Sequence, residues 1–131
     1  MTVSSDTAFG RMRVLVLEDE ALVAILLDDM LTDLGCHTIG PFAAIADARA
    51  FMSDPTGSAD AAIIDVNIGG EPSFALAALL AEREIPFAFS TGYDLAGMPA
   101  EWRGRPSLPK PFMLPDVERV LGLLRRTQPV C

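Results

Sequence analysis

The sequence predicts an α/β fold: a doubly wound, five-stranded parallel sheet with helices on both faces. Two observations carry that expectation. Five short apolar runs, MRVLVL (12–17), CHTIG (36–40), DAAIID (60–65), PFAFST (86–91) and PSLPK (106–110), have the length of strands. Between them lie segments whose apolar residues recur at helical steps. Strands that alternate with helices need crossover connections, and these give a parallel sheet covered on both sides.

The elements follow in order. Over 20–34, Val23, Leu26, Leu27, Met30, Leu31 and Leu34 recur at three- and four-residue steps, and Gly35 follows as a left-handed stop. A weaker stripe over 43–53, Ile45, Ala48, Phe51 and Met52, ends at DPTG. Pro72 stands where a helix accepts it, in the first turn, ahead of FALAALLAE. Leu114, Val117, Leu121 and Leu124 mark a last helix to about Arg126, and Pro129 lies past its end. The fourth connection, 92–105, breaks the rhythm. Its GYDLAGMPAEWRGR holds three glycines and one proline. A short or degenerate fourth helix is expected there, with Leu95, Met98 and Trp102 supporting one turn.

With 131 residues and half of them hydrophobic, the chain suits one compact domain. Eighteen acidic against ten basic residues leave a net charge of −8, which opposes direct contact with nucleic acid or anionic membranes and favours cations. MTVSSDTAFG has no basic stretch followed by an apolar one, and no apolar run approaches membrane-spanning length. Cys36 and Cys131 lack CxxC spacing, so neither a structural zinc site nor a disulfide framework is expected. These readings point to a cytoplasmic protein. The expected organisation is a flexible tail over 1–10, one domain over 11–127 and a short tail over 128–131, with no room for a second domain.

In an open parallel sheet, ligands bind beyond the carboxyl ends of the strands. Four of the five runs end there in polar residues. The first ends at Glu18, Asp19 and Glu20, and the third at Asp65 with Asn67 two residues on. The fourth ends at Ser90, Thr91 and Gly92, and the fifth at Lys110 followed by Pro111 and Phe112. Each set alone is unremarkable, since strand-end acids commonly solvate or cap the next helix. Together they place carboxylates, a hydroxyl and an ammonium at one edge. Grouped carboxylates repel one another and favour capture of a cation. A set of hard oxygen ligands suits magnesium (Mg2+). A carboxylate beside magnesium acts as a nucleophile toward phosphorus, and a lysine neutralises phosphoryl oxygens. His37 lies in the second run, which ends without charge, and reads as a packing or surface residue.

LEDE (17–20), IIDVN (63–67), STG (90–92) and PKPF (109–112), in this order, closely resemble the receiver domain of bacterial two-component response regulators. The resemblance covers about residues 12–127. It implies the flavodoxin-like strand order 2-1-3-4-5. It implies that Asp65 is the phosphoacceptor for a phosphohistidine, and that Asp19 binds magnesium with Glu18 assisting. Asn67 offers its backbone carbonyl to the metal, Thr91 is the switch hydroxyl, and Lys110 pairs with Asp65 and then with the phosphoryl oxygens. It also implies a cis Lys110–Pro111 peptide. Ser107 departs from the pattern, for receivers commonly place Tyr or Phe there. PFAFSTGY (86–93) is similar to a Phe-Ala-Thr-Gly type signature, frequent in alphaproteobacteria, that lacks the switch aromatic; Ser90 stands where that signature has alanine. Tyr93 is a candidate substitute aromatic.

The implied partners are a histidine kinase or histidine phosphotransfer protein and a downstream protein target, with a homodimer through 92–127 as a further expectation. The first helix is the expected face for the kinase. Arg119, Arg125 and Arg126 make the last helix basic, which equally complements a helix C-terminus. Other readings stay open: a phosphate sink, or a pseudo-receiver that binds without phosphorylation. A hydrolase is disfavoured because Asn67 stands where an acid/base carboxylate is needed. A nucleotide-type ligand is disfavoured because LEDEAL offers acids where a phosphate loop needs glycines. The chain is not expected to be an enzyme beyond its own slow phosphoryl chemistry.

Overall fold

A computed structural model describes residues 9–92 and 98–126. The elements run β1 (Arg13–Leu17), α1 (Ala21–Asp33), β2 (His37–Phe42), α2 (Ile45–Ser53), β3 (Ala61–Asp65), β4 (Asn67–Ile68) and β5 (Glu71–Pro72). Then come α3 (Phe74–Glu82), β6 (Phe87–Thr91), a 3-10 turn (Ala100–Trp102), β7 (Ser107–Pro109) and α4 (Leu114–Arg126). The main sheet has the order β2-β1-β3-β6-β7, and every pair in it is parallel. With the small β4–β5 hairpin set aside, this is the expected order 2-1-3-4-5.

Side-chain alternation along the strands builds two cores. Val14 and Val16 of β1, Ala61 and Ile63 of β3 and Ala88 of β6 pack with Leu27 and Leu31 of α1 and Val117, Val120 and Leu121 of α4. Their neighbours Leu15, Leu17, Ala62, Ile64, Phe87 and Phe89 point the other way, onto Ala48 and Met52 of α2 and Leu76, Ala77 and Leu80 of α3. Because both faces are covered, the strands read as unbroken apolar runs. Phe9, inside the expected tail, is buried in the α1/α4 layer, with the Arg125 guanidinium 4.7 Å above its ring. Among the described residues no helix is long and apolar enough to cross a membrane.

Several elements differ from the sequence expectations. Leu26, placed on the core stripe of α1, is 46% exposed, as are Leu22 and Ile25 to a larger degree. The helix is apolar nearly all round, so spacing alone did not fix its buried side. Leu114, expected in the stripe of α4, is exposed, and Val120 completes the buried set instead. Pro72 does not lie in the first turn of α3; it sits in β5 opposite Asn67, and Ser73 is the residue before the helix. β2 runs on to Phe42 through a cis Gly40–Pro41 peptide, where its register with β1 shifts. Gly40 has φ +94°, and a Cβ there would stand 2.6 Å from the Phe42 nitrogen, so glycine is required. Gly35 ends α1 at φ +88°, and the Cys36 N–H donates back to Leu31 O at 2.9 Å. In the fourth connection, Met98 and Trp102 are buried around the 3-10 turn. Leu95 and Tyr93 lie outside the described residues.

Candidate functional site

Strand alternation carries the face of Val14 and Val16 on to Glu18, that of Ile63 to Asp65, and that of Leu108 to Lys110. Glu18 remains within the ladder, its N–H donating to Phe42 O at 2.9 Å, and is only 3% exposed. Asp65 is the last residue of β3 and is buried. The Lys110 N–H donates to Thr91 O at 2.8 Å, which ties the ends of β6 and β7 together.

The Lys110 ammonium lies 2.9 Å from Asp65 Oδ2, 3.0 Å from Glu18 Oε1 and 3.5 Å from Glu20 Oε1. Burial disfavours its charge, but the hydrogen bonds and charges of Asp65 and Glu18 outweigh that, and its pKa is raised. Burial also pushes the Glu18 carboxyl up, with the Asp65 charge adding to it, while hydrogen bonds from Lys110 and the Glu20 N–H hold it down. One cation therefore faces more negative charge than it neutralises. Oxygens of Glu18, Asp19 and Asp65 lie within 4.8 Å of one another. Asp65 Oδ1 accepts one long bond, 3.4 Å, from the Asn67 N–H, and keeps lone pairs for a cation or an electrophile. This donor set, all carboxylate oxygen with surplus negative charge, fits a hard divalent cation such as magnesium.

The loop after β3 is built to hold Asp65. Gly69 and Gly70 both take positive φ, +59° and +88°, which closes the β4–β5 hairpin by a two-residue turn. The Gly69 N–H donates to Asp19 Oδ2 at 2.9 Å. The buried Ser73 hydroxyl does not cap α3; it donates to Asp65 O at 2.5 Å, with Val66 O at 3.2 Å. These contacts anchor the backbone at the carboxylate.

The structure thus brings Glu18, Asp19, Asp65 and Lys110 together. Thr91 ends β6 beside them and is 8% exposed. Asn67 is exposed, with its backbone next to Asp65. Ser107 is half-buried in register with Phe89, on the opposite face from Lys110. His37 is an exposed strand start. Lys110–Pro111 is cis. Sequence reasoning missed Glu20 as a lysine partner and Ser73 as an anchor. The Gly69–Gly70 pair was the signal for the hairpin that places Ser73.

No protein-family model and no curated protein sequence matches the chain. Solved structures do. SdrG from Sphingomonas melonis Fr1 is 41% identical over 86% of this chain and 95% of its own, with a TM-score of 0.77. The BeF3-activated conformation of SdrG from Pseudomonas melonis Fr1 is 37% identical over 95% of this chain and 99% of its own, with a TM-score of 0.74. The receiver domain of the sensor histidine kinase PA1611 from Pseudomonas aeruginosa PAO1 has a magnesium ion coordinated in its active-site cleft. It is 20% identical over 88% of this chain and 98% of its own, with a TM-score of 0.73, a likeness of fold.

Proposed function

The chain belongs to the response-regulator receiver family, and from that premise we propose that Asp65 accepts a phosphoryl group from a phosphohistidine on a histidine kinase or histidine phosphotransfer protein. The observation that carries this reading is the buried Asp65 carboxylate, with Oδ2 on the Lys110 ammonium and a carboxylate oxygen within 4.8 Å of oxygens of Glu18 and Asp19. An Asp65 oxygen attacks phosphorus as the phosphorus–nitrogen bond breaks. An acyl phosphate forms, and the electron pair leaves on the imidazole nitrogen, which then takes a proton. Glu18, Asp19 and Asp65 would hold magnesium, with the Asn67 carbonyl as a further ligand. The metal supplies charge neutralisation for the phosphoryl oxygens. Lys110 pairs with those oxygens, and the Thr91 hydroxyl donates to one of them.

The donor docks beside the acceptor. Leu22, Ile25, Leu26, Met113 and Leu114 are exposed there. A groove of about 350 Å³ between α1 and the Lys110–Phe112 segment opens next to them. Output runs through protein contacts and not through metabolic turnover. The subgroup without a switch aromatic fits Ser107, whose side chain is too small to act as the usual lever. In its place, the signal passes through the 92–105 connection that follows Thr91.

Intact-protein mass after incubation with acetyl phosphate and magnesium tests the core of this reading. A gain of one phosphoryl mass is expected, lost with chelator and lost in Asp65→Asn. No gain from acetyl phosphate or from a phosphorylated histidine phosphotransfer protein would leave the pseudo-receiver reading standing.

A further inference from the structure

The end of β6 carries a polar group with no assigned role. Ser90 is 2% exposed, and its hydroxyl has no hydrogen-bond partner among the described residues. The other such hydroxyl, on Thr38, is half-buried in the edge strand β2. Ser90 instead sits on an inner strand, in register with Asp65 on one side and Leu108 on the other. A dry, unpartnered hydroxyl costs free energy, so its presence beside a charge cluster calls for a use.

Alternation gives its direction. Ala88 packs in the α1/α4 layer while Phe87 and Phe89 face α2 and α3. Ser90 therefore shares the face of Asp65 and Leu108, and Lys110 continues that face. Lys110 starts from β7 and ends on Asp65 of β3, with β6 between them. Two strand spacings, about 9.6 Å, separate β3 from β7. The lysine stem must cross the end of β6. A Cβ on Gly92 would stand 4.0 Å from Lys110 Cβ, which places the stem over that strand end. Ser90 is the next residue inward on the same face.

We propose that Ser90 is a positioning residue whose hydroxyl is a second seat for the Lys110 ammonium, taken up when a divalent cation claims Asp65 and Glu18. The Lys110 ammonium has three carboxylate acceptors within 3.5 Å, one for each of its protons. A divalent cation on Glu18, Asp19 and Asp65 competes for two of them. The third, Glu20, is exposed and the most distant, and holds the lysine weakly. Ser90 supplies a buried acceptor on the same face, one step inward along the strand the lysine stem crosses, so the lysine stays at the site instead of swinging to solvent. A fully apolar residue here would leave the displaced ammonium with fewer partners and so oppose metal entry.

The inference rests on the metal reading above, and calorimetric magnesium titration separates the two. Wild type, Ser90→Ala and Ser90→Thr are compared, each also in a Lys110→Met background, with urea midpoints confirming that all fold. Ser90→Ala is expected to weaken magnesium binding about tenfold, the weight of one hydrogen bond to a charged group. Ser90→Thr, which keeps the hydroxyl, is expected to bind as wild type does. In Lys110→Met the Ser90→Ala effect is expected to vanish, because no ammonium needs reseating. Equal affinity of wild type and Ser90→Ala overturns the proposal, as does an equal loss in both backgrounds. A wild type that binds no magnesium at millimolar concentration overturns the metal reading as well.

Discussion

Strand β6 joins two regions of opposite character. Its end, at Ser90 and Thr91, borders the charge cluster of Glu18, Asp19, Glu20, Asp65 and Lys110. Its first half, at Phe87 and Phe89, carries an aromatic block on the other face. Phe87 and Phe89 meet edge-on at 5.4 Å, Phe74 meets Phe89 at 6.0 Å, and Trp102 lies 5.9 and 6.3 Å from Phe87 and Phe89. The cluster gathers like charges and holds them partly out of water, which costs stability and yields reactivity. The block buries large rings and stabilises without directional chemistry. Stability and function are thus assigned to neighbouring but separate sets of side chains, and substitutions should separate them.

The largest separation is expected at Trp102. It is 8% exposed and closes the α2/α3 face from the 3-10 turn of the fourth connection. Trp102→Ala is expected to lower unfolding stability by about 3–5 kcal/mol in urea. Magnesium affinity, measured by calorimetry at a temperature where the variant stays folded, should stay within about twofold, since no ligand moves. A tenfold loss of affinity in the folded variant would show that the aromatic block sets the geometry of the cluster, and the division would fail.

Glu18→Gln should do the reverse. The Glu18 pKa is raised above the ordinary 4.5 by burial and by the charge of Asp65. The folded protein then binds more protons than the unfolded chain between 4.5 and the raised value. Stability falls as pH rises through that window, and the cost is fully present above it. Removing the charge should stabilise the fold by about 1 kcal/mol at pH 7, since Lys110 keeps Asp65 and Glu20 as partners. The gain should shrink as pH falls to 4.5 and below, where the unfolded chain also holds the proton. Magnesium binding should weaken more than tenfold. Urea curves at pH 4 and pH 7 read both sides; a Glu18→Gln protein less stable at pH 7 would mean that Glu18 is a net stabilising partner of Lys110.

The two regions were unequally legible in the sequence. Each member of the cluster ends an apolar run, and strand geometry turns an end in sequence into a place in space, so Glu18, Asp19, Asp65 and Lys110 were found together. Glu20 was grouped with them but not as a lysine partner, because helix entry swings it by an amount that spacing does not give. Ser73 was hidden because its partners, the carbonyls of Asp65 and Val66, are backbone and leave no mark on composition. On α1 the periodicity was too full to choose a side, and Leu26 came out exposed. The aromatic block was only half visible. Met98 and Trp102 were singled out, but their packing against Phe87 and Phe89 depends on how 98–105 folds back, which glycine and proline leave open.

The smallest effect tests whether the block is as non-polar in function as in composition. Arg105 lays its guanidinium 4.5 Å from the centre of the Phe87 ring and 5.9 Å from that of Trp102. Its N–H donates to Trp102 O at 3.1 Å, so the backbone already fixes its position without the side chain. The stem covers ring surface, and the charge adds a cation–π attraction of about 0.5–1 kcal/mol at a half-exposed site. Arg105→Met keeps a stem of similar reach and removes the charge. A loss of under about 1 kcal/mol in urea, with magnesium affinity unchanged, places Arg105 with the rings it covers. A loss beyond about 2 kcal/mol, or a change in magnesium affinity, would mean that its charge acts on the acidic edge across β6. The two regions would then share one electrostatic balance, and the separation drawn between them would hold for packing but not for charge.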